Sequence, residues 1–184
     1  NKLRDANGRG GMGAVMGSKN LKAIAVSGKP AVRMKDPEKI KELVKWFADN
    51  YLKVASGDPA GLHKLGTAQY VMGCQGSGIL PTRNFRDGAF EGAEKISGEK
   101  MKETIHVGQT ACWACSIACK MTVAVNRPKM KIDPAYGAPE YEAIGALGSC
   151  CGVDDMKAVC KANEICNAYG MDTISTGVSV AFAM

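Results

Sequence analysis

The sequence lacks an uninterrupted apolar run of the 18 or more residues that a membrane-spanning helix requires, so we expect no membrane span. It also lacks an initiator methionine and a secretion signal, and it stops within an apolar segment, so we expect an internal piece of a longer cytoplasmic protein. Because aromatic and basic residues do not interleave and no nucleic-acid-binding motif occurs, we expect no nucleic-acid partner.

The excess of positive charge is confined to the first 53 residues. The net charge is +6, but residues 1–53 hold 12 Lys and Arg against 5 Asp and Glu, whereas the remainder holds 12 against 13. A solvated, lysine-rich helix face accounts for most of this excess.

Histidine is scarce, with two residues, whereas cysteine is frequent, with eight. Without a secretion signal, the cysteines are expected to be metal ligands or buried thiols instead of disulfides. Cys112, Cys115 and Cys119 form a C-x2-C-x3-C pattern. No comparable spacing is shared by the other cysteines, which are Cys74, Cys150, Cys151, Cys160 and Cys166.

The cysteine spacing favours an iron-sulfur cluster. Thiolates select zinc or iron-sulfur centres, and a zinc site usually offers a second pair of ligands at similar spacing. His63 and His106 are both isolated from any C-x2-C partner, so they are expected to be surface or packing residues. A zinc site and structural thiols remain the alternatives, and Cys150, Cys151 or a residue outside this segment remains open as a fourth ligand.

The glycine-rich segment over residues 8–18 resembles a loop that cradles a phosphate. Glycines allow backbone N–H groups to approach an anion, and Arg9 adds a bidentate donor. Neither the Walker pattern nor the dinucleotide fingerprint is present, so a packed turn is an equal alternative.

Secondary structure follows from periodicity and capping residues. We predict a strand over 21–27, a helix over 37–55, short helices over 62–72 and 97–106, and a mainly helical second half. In that half, helical segments are predicted to begin at Pro139, Asp154 and Thr173, and Gly170 is suited to the left-handed position that ends the middle one.

Five segments together resemble the aldehyde ferredoxin oxidoreductase family. They occur in the family's order and extend over essentially the whole chain. The segments are GRGGMGAVMGSKNLKAI (8–24), GILPTRNF (78–85), CWACSIAC (112–119), PEYE (139–142) and CNAYGMDTISTG (166–177).

The resemblance implies an α+β fold in which residues 1–35 end a β-rich, pterin-binding N-terminal domain and residues 36–184 begin a mainly α-helical domain. It implies an oxygen-sensitive enzyme with a tungsten bis-molybdopterin centre, or molybdenum in its place, beside a 4Fe-4S cluster. The reaction would oxidise small aldehydes to carboxylic acids with ferredoxin as the acceptor. A homo-oligomer or a larger oxidoreductase complex is expected.

The resemblance also assigns site residues. Cys112, Cys115 and Cys119 correspond to three cluster ligands, with the fourth expected in a C-terminal domain. Arg9 and Gly10 resemble a pterin-contacting segment. Asn167 and Asp172 resemble the two ends of a D-x-x-G-L-C/D pterin motif, although Asn167 replaces an aspartate and Met171 a leucine. Capping of the following helix is the alternative role of Asp172.

The PEYE segment contains two acids that are expected to point to different faces of a helix start. Glu142 is predicted to transfer a proton near the tungsten, whereas Glu140 is expected to face solvent. Two rival functions remain: a family relative that acts as an aromatic acyl-CoA reductase subunit, and a cluster-bearing electron-transfer module without its own substrate.

Overall fold

The computed structural model describes residues 9–28, 33–54 and 59–184. The chain divides into two compact units, one that holds the described residues up to Pro59 and one that extends from Ala60 to Met184. None of the helices in these described ranges combines the length and apolar character of a segment that crosses a bilayer.

The first unit contains a 3-10 turn at Arg9–Gly11, helix α1 (Met12–Ser18) and helix α2 (Pro37–Val54). Helix α2 confirms the prediction over 37–55, and the carboxylate of Asp36 accepts from the backbone N–H of Lys39 as an N-cap does. The predicted strand over 21–27 is wrong, because residues 21–28 have no regular structure. A strand is defined by a hydrogen-bonded partner, which local alternation cannot supply.

The second unit is mainly helical, with two small hairpins. Its α-helices are α3 (Pro59–Leu65), α4 (Tyr70–Gly76), α5 (Gly98–Thr104), α6 (Tyr141–Leu147), α7 (Met156–Tyr169) and α8 (Thr173–Ala183). Its strands are β1 (His106–Thr110), β2 (Lys120–Val123), β3 (Val125–Arg127) and β4 (Met130–Ile132). Short 3-10 turns lie at Gly66–Gln69, Ala93–Ile96, Pro134–Tyr136 and Ser149–Cys151.

Several helix boundaries agree with the capping residues of the sequence. The hydroxyl of Ser97 accepts from the N–H of Lys100 at the start of α5. Helix α7 begins at Met156, two residues later than predicted from Asp154, because Asp155 provides its N-cap, and Gly170 follows its last residue with φ of 70°. Local side-chain chemistry therefore determines where these helices begin and end.

The two antiparallel hairpins were not predicted. Strand β1 pairs with β2 in a register that joins Gln109 to Met121 and Thr110 to Lys120, and β3 pairs with β4. The strands are only three to five residues long, and β1 contains a glycine, so their sequences carry little alternation. The mixture of helix and sheet agrees with an α+β class, and the domain arrangement remains a prediction.

Helix α6 lies at the centre of the second unit, since all its residues from Ala143 to Leu147 are buried. It packs against α7 and α8, and Gly177 of α8 approaches so closely that a Cβ there would lie 2.6 Å from the carbonyl carbon of Ala146. The buried core consists of Ala68, Val71, Leu80, Phe90, Ala93, Ile96, Met101, Ile105, Met121, Val123, Val125, Ile132, Ile144, Leu147, Met156, Val159 and Cys160.

Candidate metal centre and its surroundings

The three cysteines of the C-x2-C-x3-C pattern lie on the connection between strands β1 and β2. Cys112 is exposed, Cys115 and Cys119 are half-buried, and all three are free thiols. The backbone N–H of Cys115 donates to the carbonyl of Cys112 at 3.1 Å, which closes a tight turn. The hairpin thus presents the three sulfur atoms on one short loop, which we call the cysteine loop (residues 111–119).

Two alanines give the cysteine loop its winding path. Ala114 and Ala118 have φ of 55° and 50°, and each immediately precedes a cysteine. A left-handed conformation costs a residue with a Cβ atom roughly 1–2 kcal/mol. Backbone strain of this kind is found preferentially at functional sites, where the surrounding structure maintains it.

The Cys119 thiol is affected by its burial and by the charges of its neighbours. Burial raises the pKa of the Cys119 thiol above its ordinary value, and the charge of Glu140 raises it further. Smaller contributions in the same direction come from Cys115 and Cys112, while a backbone hydrogen bond opposes them. A bound metal reverses this balance, because it takes thiolates as ligands.

The chemistry of this donor set fits an iron-sulfur cluster, since soft thiolate ligands from one loop are what such clusters use. In the parts of the chain that the structure describes, no three His, Cys, Asp or Glu side chains converge closely enough to hold a single metal ion. In a cubane cluster each cysteine binds a different iron atom, so its ligands need not converge on one point.

The second half of the cysteine loop is held by two side chains from neighbouring elements. The imidazole Nδ1 of His63, on α3, lies 2.7 Å from the carbonyl oxygen of Ile117. The side-chain amide of Gln109, on β1, donates to the carbonyl of Ala118 at 3.2 Å and also to the carbonyl of His63. His63 is therefore a packing residue, as predicted, and what it packs against is the candidate metal centre.

Gly66 lies directly against the last cysteine. It has φ of +62°, and a Cβ at this position would lie 2.7 Å from the carbonyl oxygen of Cys119. The left-handed conformation and the close approach both require glycine here. Neither His63 nor Gly66 has the spacing of a metal ligand, so the sequence carried no signal of their contacts with the loop.

Glu140 was expected to face solvent, but it also makes a specific contact within the protein. It is the N-cap residue of α6, and its carboxylate accepts a hydrogen bond from the hydroxyl of Thr67. The oxygen of the same hydroxyl accepts from the backbone N–H of Tyr141 at 2.9 Å. Glu140 is exposed, but its carboxylate is held in place by the hydroxyl of Thr67.

Glu142 lies on the first turn of α6 and is exposed. Its charge acts on Tyr141, whose pKa is raised mainly by burial, then by a hydrogen bond and charge interaction with Cys74, and less by Glu142. The two acids of the PEYE segment therefore have different neighbours, Thr67 for Glu140 and Tyr141 for Glu142. The catalytic role of Glu142 remains a prediction.

The side chains of Asn167 and Asp172 both contact the protein's own backbone. The amide of Asn167 donates to the carbonyl of Tyr136 at 3.1 Å. Asp172 is the N-cap of α8, and its carboxylate accepts from the N–H of Ser175 at 3.1 Å and from its hydroxyl at 2.5 Å. Capping, the alternative role of Asp172, is thus observed, and the pterin contacts of both residues remain predictions.

Arg9 and Gly10 belong to the first unit, where they begin the turn before α1. Gly10 and Gly11 have φ of 73° and 74°, and added Cβ atoms would meet nothing within 4 Å. The glycines are required here by backbone conformation and not by packing against the described residues.

A strained turn that the sequence analysis did not predict occurs at Arg83, Asn84 and Phe85. Their φ angles are 46°, 55° and 62°, three left-handed residues in succession. The N–H groups of Arg83 and Asn84 each donate at 3.0 Å to carbonyls of the Ser149–Cys151 turn, and Ser149 donates its hydroxyl to the carbonyl of Pro81 at 2.6 Å. These tertiary hydrogen bonds help to stabilise a conformation that is costly for residues with a Cβ atom.

The sequence of the chain can be compared with those of known proteins. Residues 39–184 match the model of "Aldehyde ferredoxin oxidoreductase, domains 2 & 3", and residues 1–28 match that of the N-terminal domain of the same family. The chain belongs to the aldehyde ferredoxin oxidoreductase family. The resemblance carried by the five sequence segments is thereby confirmed.

Individual relatives agree with this membership. Tungsten-containing aldehyde ferredoxin oxidoreductases of Pyrococcus abyssi and Thermococcus kodakarensis are both 42% identical to this chain over 97% of its length. The aliphatic sulfonate oxidoreductase, WOR-like subunit, of Pyrococcus furiosus is 29% identical over 99%. The chain spans only 28% to 29% of the length of these relatives.

Proposed function

We propose that this chain is part of a tungsten, or molybdenum, bis-pterin enzyme with a 4Fe-4S cluster that oxidises aldehydes to carboxylic acids. The observation that carries the proposal is the cysteine loop, in which Cys112, Cys115 and Cys119 share one hairpin connection. The side chains of His63 and Gln109 hold this loop through hydrogen bonds to its backbone. The 42% identity to tungsten-containing aldehyde ferredoxin oxidoreductases supports the proposal.

Each predicted site residue has a specific role in this proposal. Cys112, Cys115 and Cys119 would be three ligands of the cluster, and a residue outside this chain would supply the fourth. When bound, the tungsten-pterin centre supplies the two-electron oxidation of an aldehyde and water to an acid, and the cluster supplies one-electron transfer. Glu142 accepts or donates the proton that this oxidation requires.

The pterin contacts are proposed for both units. Arg9 and Gly10 would contact a cofactor phosphate, for which a guanidinium and exposed backbone N–H groups are suitable donors. Asn167 and Asp172 would contact the pterin ring edges. We propose that residues 1–35 end the pterin-binding domain and that 36–184 begin the helical domain. The family-model matches end at residue 28 and resume at residue 39, on either side of that boundary.

Ferredoxin is the proposed electron acceptor, a small aldehyde the proposed substrate and the cytoplasm the proposed location. A homo-oligomer or a larger oxidoreductase complex is the proposed assembly. A second candidate substrate class is an aliphatic sulfonate, because the 29%-identical relative carries that substrate in its name. Turnover of a short aldehyde and of an alkyl sulfonate, measured side by side with a viologen acceptor, discriminates between the two.

Metal analysis of the protein at its natural length, purified without oxygen, tests the proposal. We expect about four iron atoms per tungsten or molybdenum. Replacement of Cys115 by Ser is expected to remove the electron paramagnetic resonance signal of the reduced cluster. Cys151→Ser is the matched control, because the Cys151 thiol contacts the carbonyls of Ala146 and Gly177 instead of the cysteine loop. Zinc in place of iron, or an unchanged signal in Cys115→Ser, would contradict the proposal.

A further inference from the structure

Cys119 and Glu140 line the same crevice, which is too narrow to admit a water molecule. Gly66 and Thr67 lie between them in the 3-10 turn, with Gly66 in contact with the carbonyl of Cys119 and Thr67 bonded to the carboxylate of Glu140. A charge beside a sulfur ligand across such a space is screened less than one across bulk water.

The carboxylate of Glu140 has a constrained position. Thr67 donates to it and is itself fixed by the backbone N–H of Tyr141 at 2.9 Å, the first residue of α6. The two groups thus connect the start of α6 to the turn that contacts Cys119. Among the residues that line this crevice with Cys119, Glu140 is the one that carries a carboxylate.

We infer that Glu140 sets the reduction potential of the iron-sulfur cluster: anchored by Thr67 beside Cys119, its negative charge makes the cluster harder to reduce. This inference rests on the proposed function, which places the cluster on the cysteine loop. Glu140 is a potential-setting residue and not a ligand, and it differs in role from Glu142, which is proposed to transfer protons.

The direction of the effect follows from Coulomb's law. Reduction adds an electron to a cluster whose thiolate ligands are already negative, so a neighbouring carboxylate disfavours the reduced form. Net charge and hydrogen bonding around the sulfurs are among the factors that set such potentials. Because Glu140 is also exposed to solvent, which screens its charge, the effect is expected to be moderate.

The test is a redox titration of the cluster signal in the protein at its natural length, by electron paramagnetic resonance under anoxic conditions. Glu140→Gln keeps the shape and an acceptor for Thr67 but removes the charge. We expect about a three- to tenfold shift toward the reduced cluster at a given potential, which is a rise of about 28 to 59 mV for one electron. Glu103→Gln is the control, because its exposed carboxylate is paired with Lys100 on α5.

Thr67 provides a second, independent variant. Thr67→Val removes the hydroxyl and releases the carboxylate, so the potential should rise by less than in Glu140→Gln, and Thr67→Ser should restore it. Lower thermal stability with an unchanged potential in both Glu140→Gln and Thr67→Val would show a merely structural role and overturn the inference. A protein without any iron-sulfur signal before mutation would instead refute the proposed function.

Discussion

The imidazole of His63 lies 2.7 Å from the carbonyl oxygen of Ile117, between the second and third cysteines of the cysteine loop. Because a carbonyl only accepts, the Nδ1 atom must carry the proton, which determines the tautomer of the neutral ring. Helix α3 thereby holds a loop that contains two residues in left-handed conformations.

We predict that His63→Ala weakens this loop. Loss of one hydrogen bond costs about 0.5–1.5 kcal/mol, and the bound iron should be released faster to a chelator. His63→Asn retains a donor near the position of Nδ1, so its iron should be released nearly as slowly as from the unaltered protein. Lys64→Ala, at the exposed neighbouring position, is the control. Equal rates of iron release in His63→Ala and the unaltered protein would contradict the prediction.

Gly66 provides a second test of the contacts around Cys119. Gly66→Ala introduces a left-handed alanine and a 2.7 Å contact with a backbone oxygen, so we expect a destabilisation of about 1–3 kcal/mol and reduced iron content. Gly73→Ala is the matched control in helix α4, where a Cβ meets nothing within 4 Å. It should stabilise the protein by about 0.5–1 kcal/mol. Shifts of the denaturation midpoint in the same direction in both variants would contradict the prediction that Gly66 is required beside Cys119.

Thiol reactivity should distinguish the cysteine loop from the core. After removal of iron, exposed Cys112 should react first with iodoacetamide, and half-buried Cys119 more slowly because its pKa is raised. Bound cluster should protect both. Cys160 should remain unmodified until the protein unfolds, since burial raises its pKa to about 12. Peptide mapping by mass spectrometry measures all three, and early labelling of Cys160 would be inconsistent with its buried position.

The same burial predicts a pH dependence of stability. Because the pKa of Cys160 is raised from 9.0 to about 12 in the folded state, its contribution is complete below pH 9 and is lost as the pH rises toward 12. Cys160→Val removes the titrating group, so its loss of stability between pH 9 and 12 should be smaller. Denaturation midpoints across this range measure the difference, and parallel curves would contradict the prediction.

Asp172 allows the capping role to be separated from the proposed cofactor contact. Asp172→Ala should destabilise the protein by about 1 kcal/mol, because it removes the N-cap of α8. Asp172→Asn keeps the cap and should leave the denaturation midpoint nearly unchanged. If the carboxylate also contacts the pterin, Asp172→Asn should contain less tungsten or molybdenum; equal metal content would restrict Asp172 to capping.

Glu142 is the proposed proton-transfer group, so Glu142→Gln should lower the turnover of a saturating short aldehyde by about 100-fold to 10,000-fold. The samples must first have equal iron and tungsten content. Glu99→Gln, at an exposed position in α5, is the control. Full turnover in Glu142→Gln would show that a residue other than Glu142 transfers the proton.

The sequence by itself determined the features that depend on local chemistry. Capping residues such as Asp36, Ser97 and Gly170 mark helix ends through hydrogen bonds or backbone angles within a few residues, so their positions were predictable. The C-x2-C-x3-C spacing and the order of the five segments were likewise sufficient for the family, which the comparisons confirm.

Tertiary structure alone decided the features that join residues distant in the chain. The hairpin that carries the cysteine loop has strands too short for clear alternation, and the strand predicted over 21–27 has no partner among the described residues. His63 reaches Ile117 and Thr67 reaches Glu140 across 54 and 73 positions. Such contacts depend on how the elements pack, and because hydrogen bonding between distant residues leaves no periodicity in the chain, no local pattern could reveal the anchored carboxylate beside Cys119.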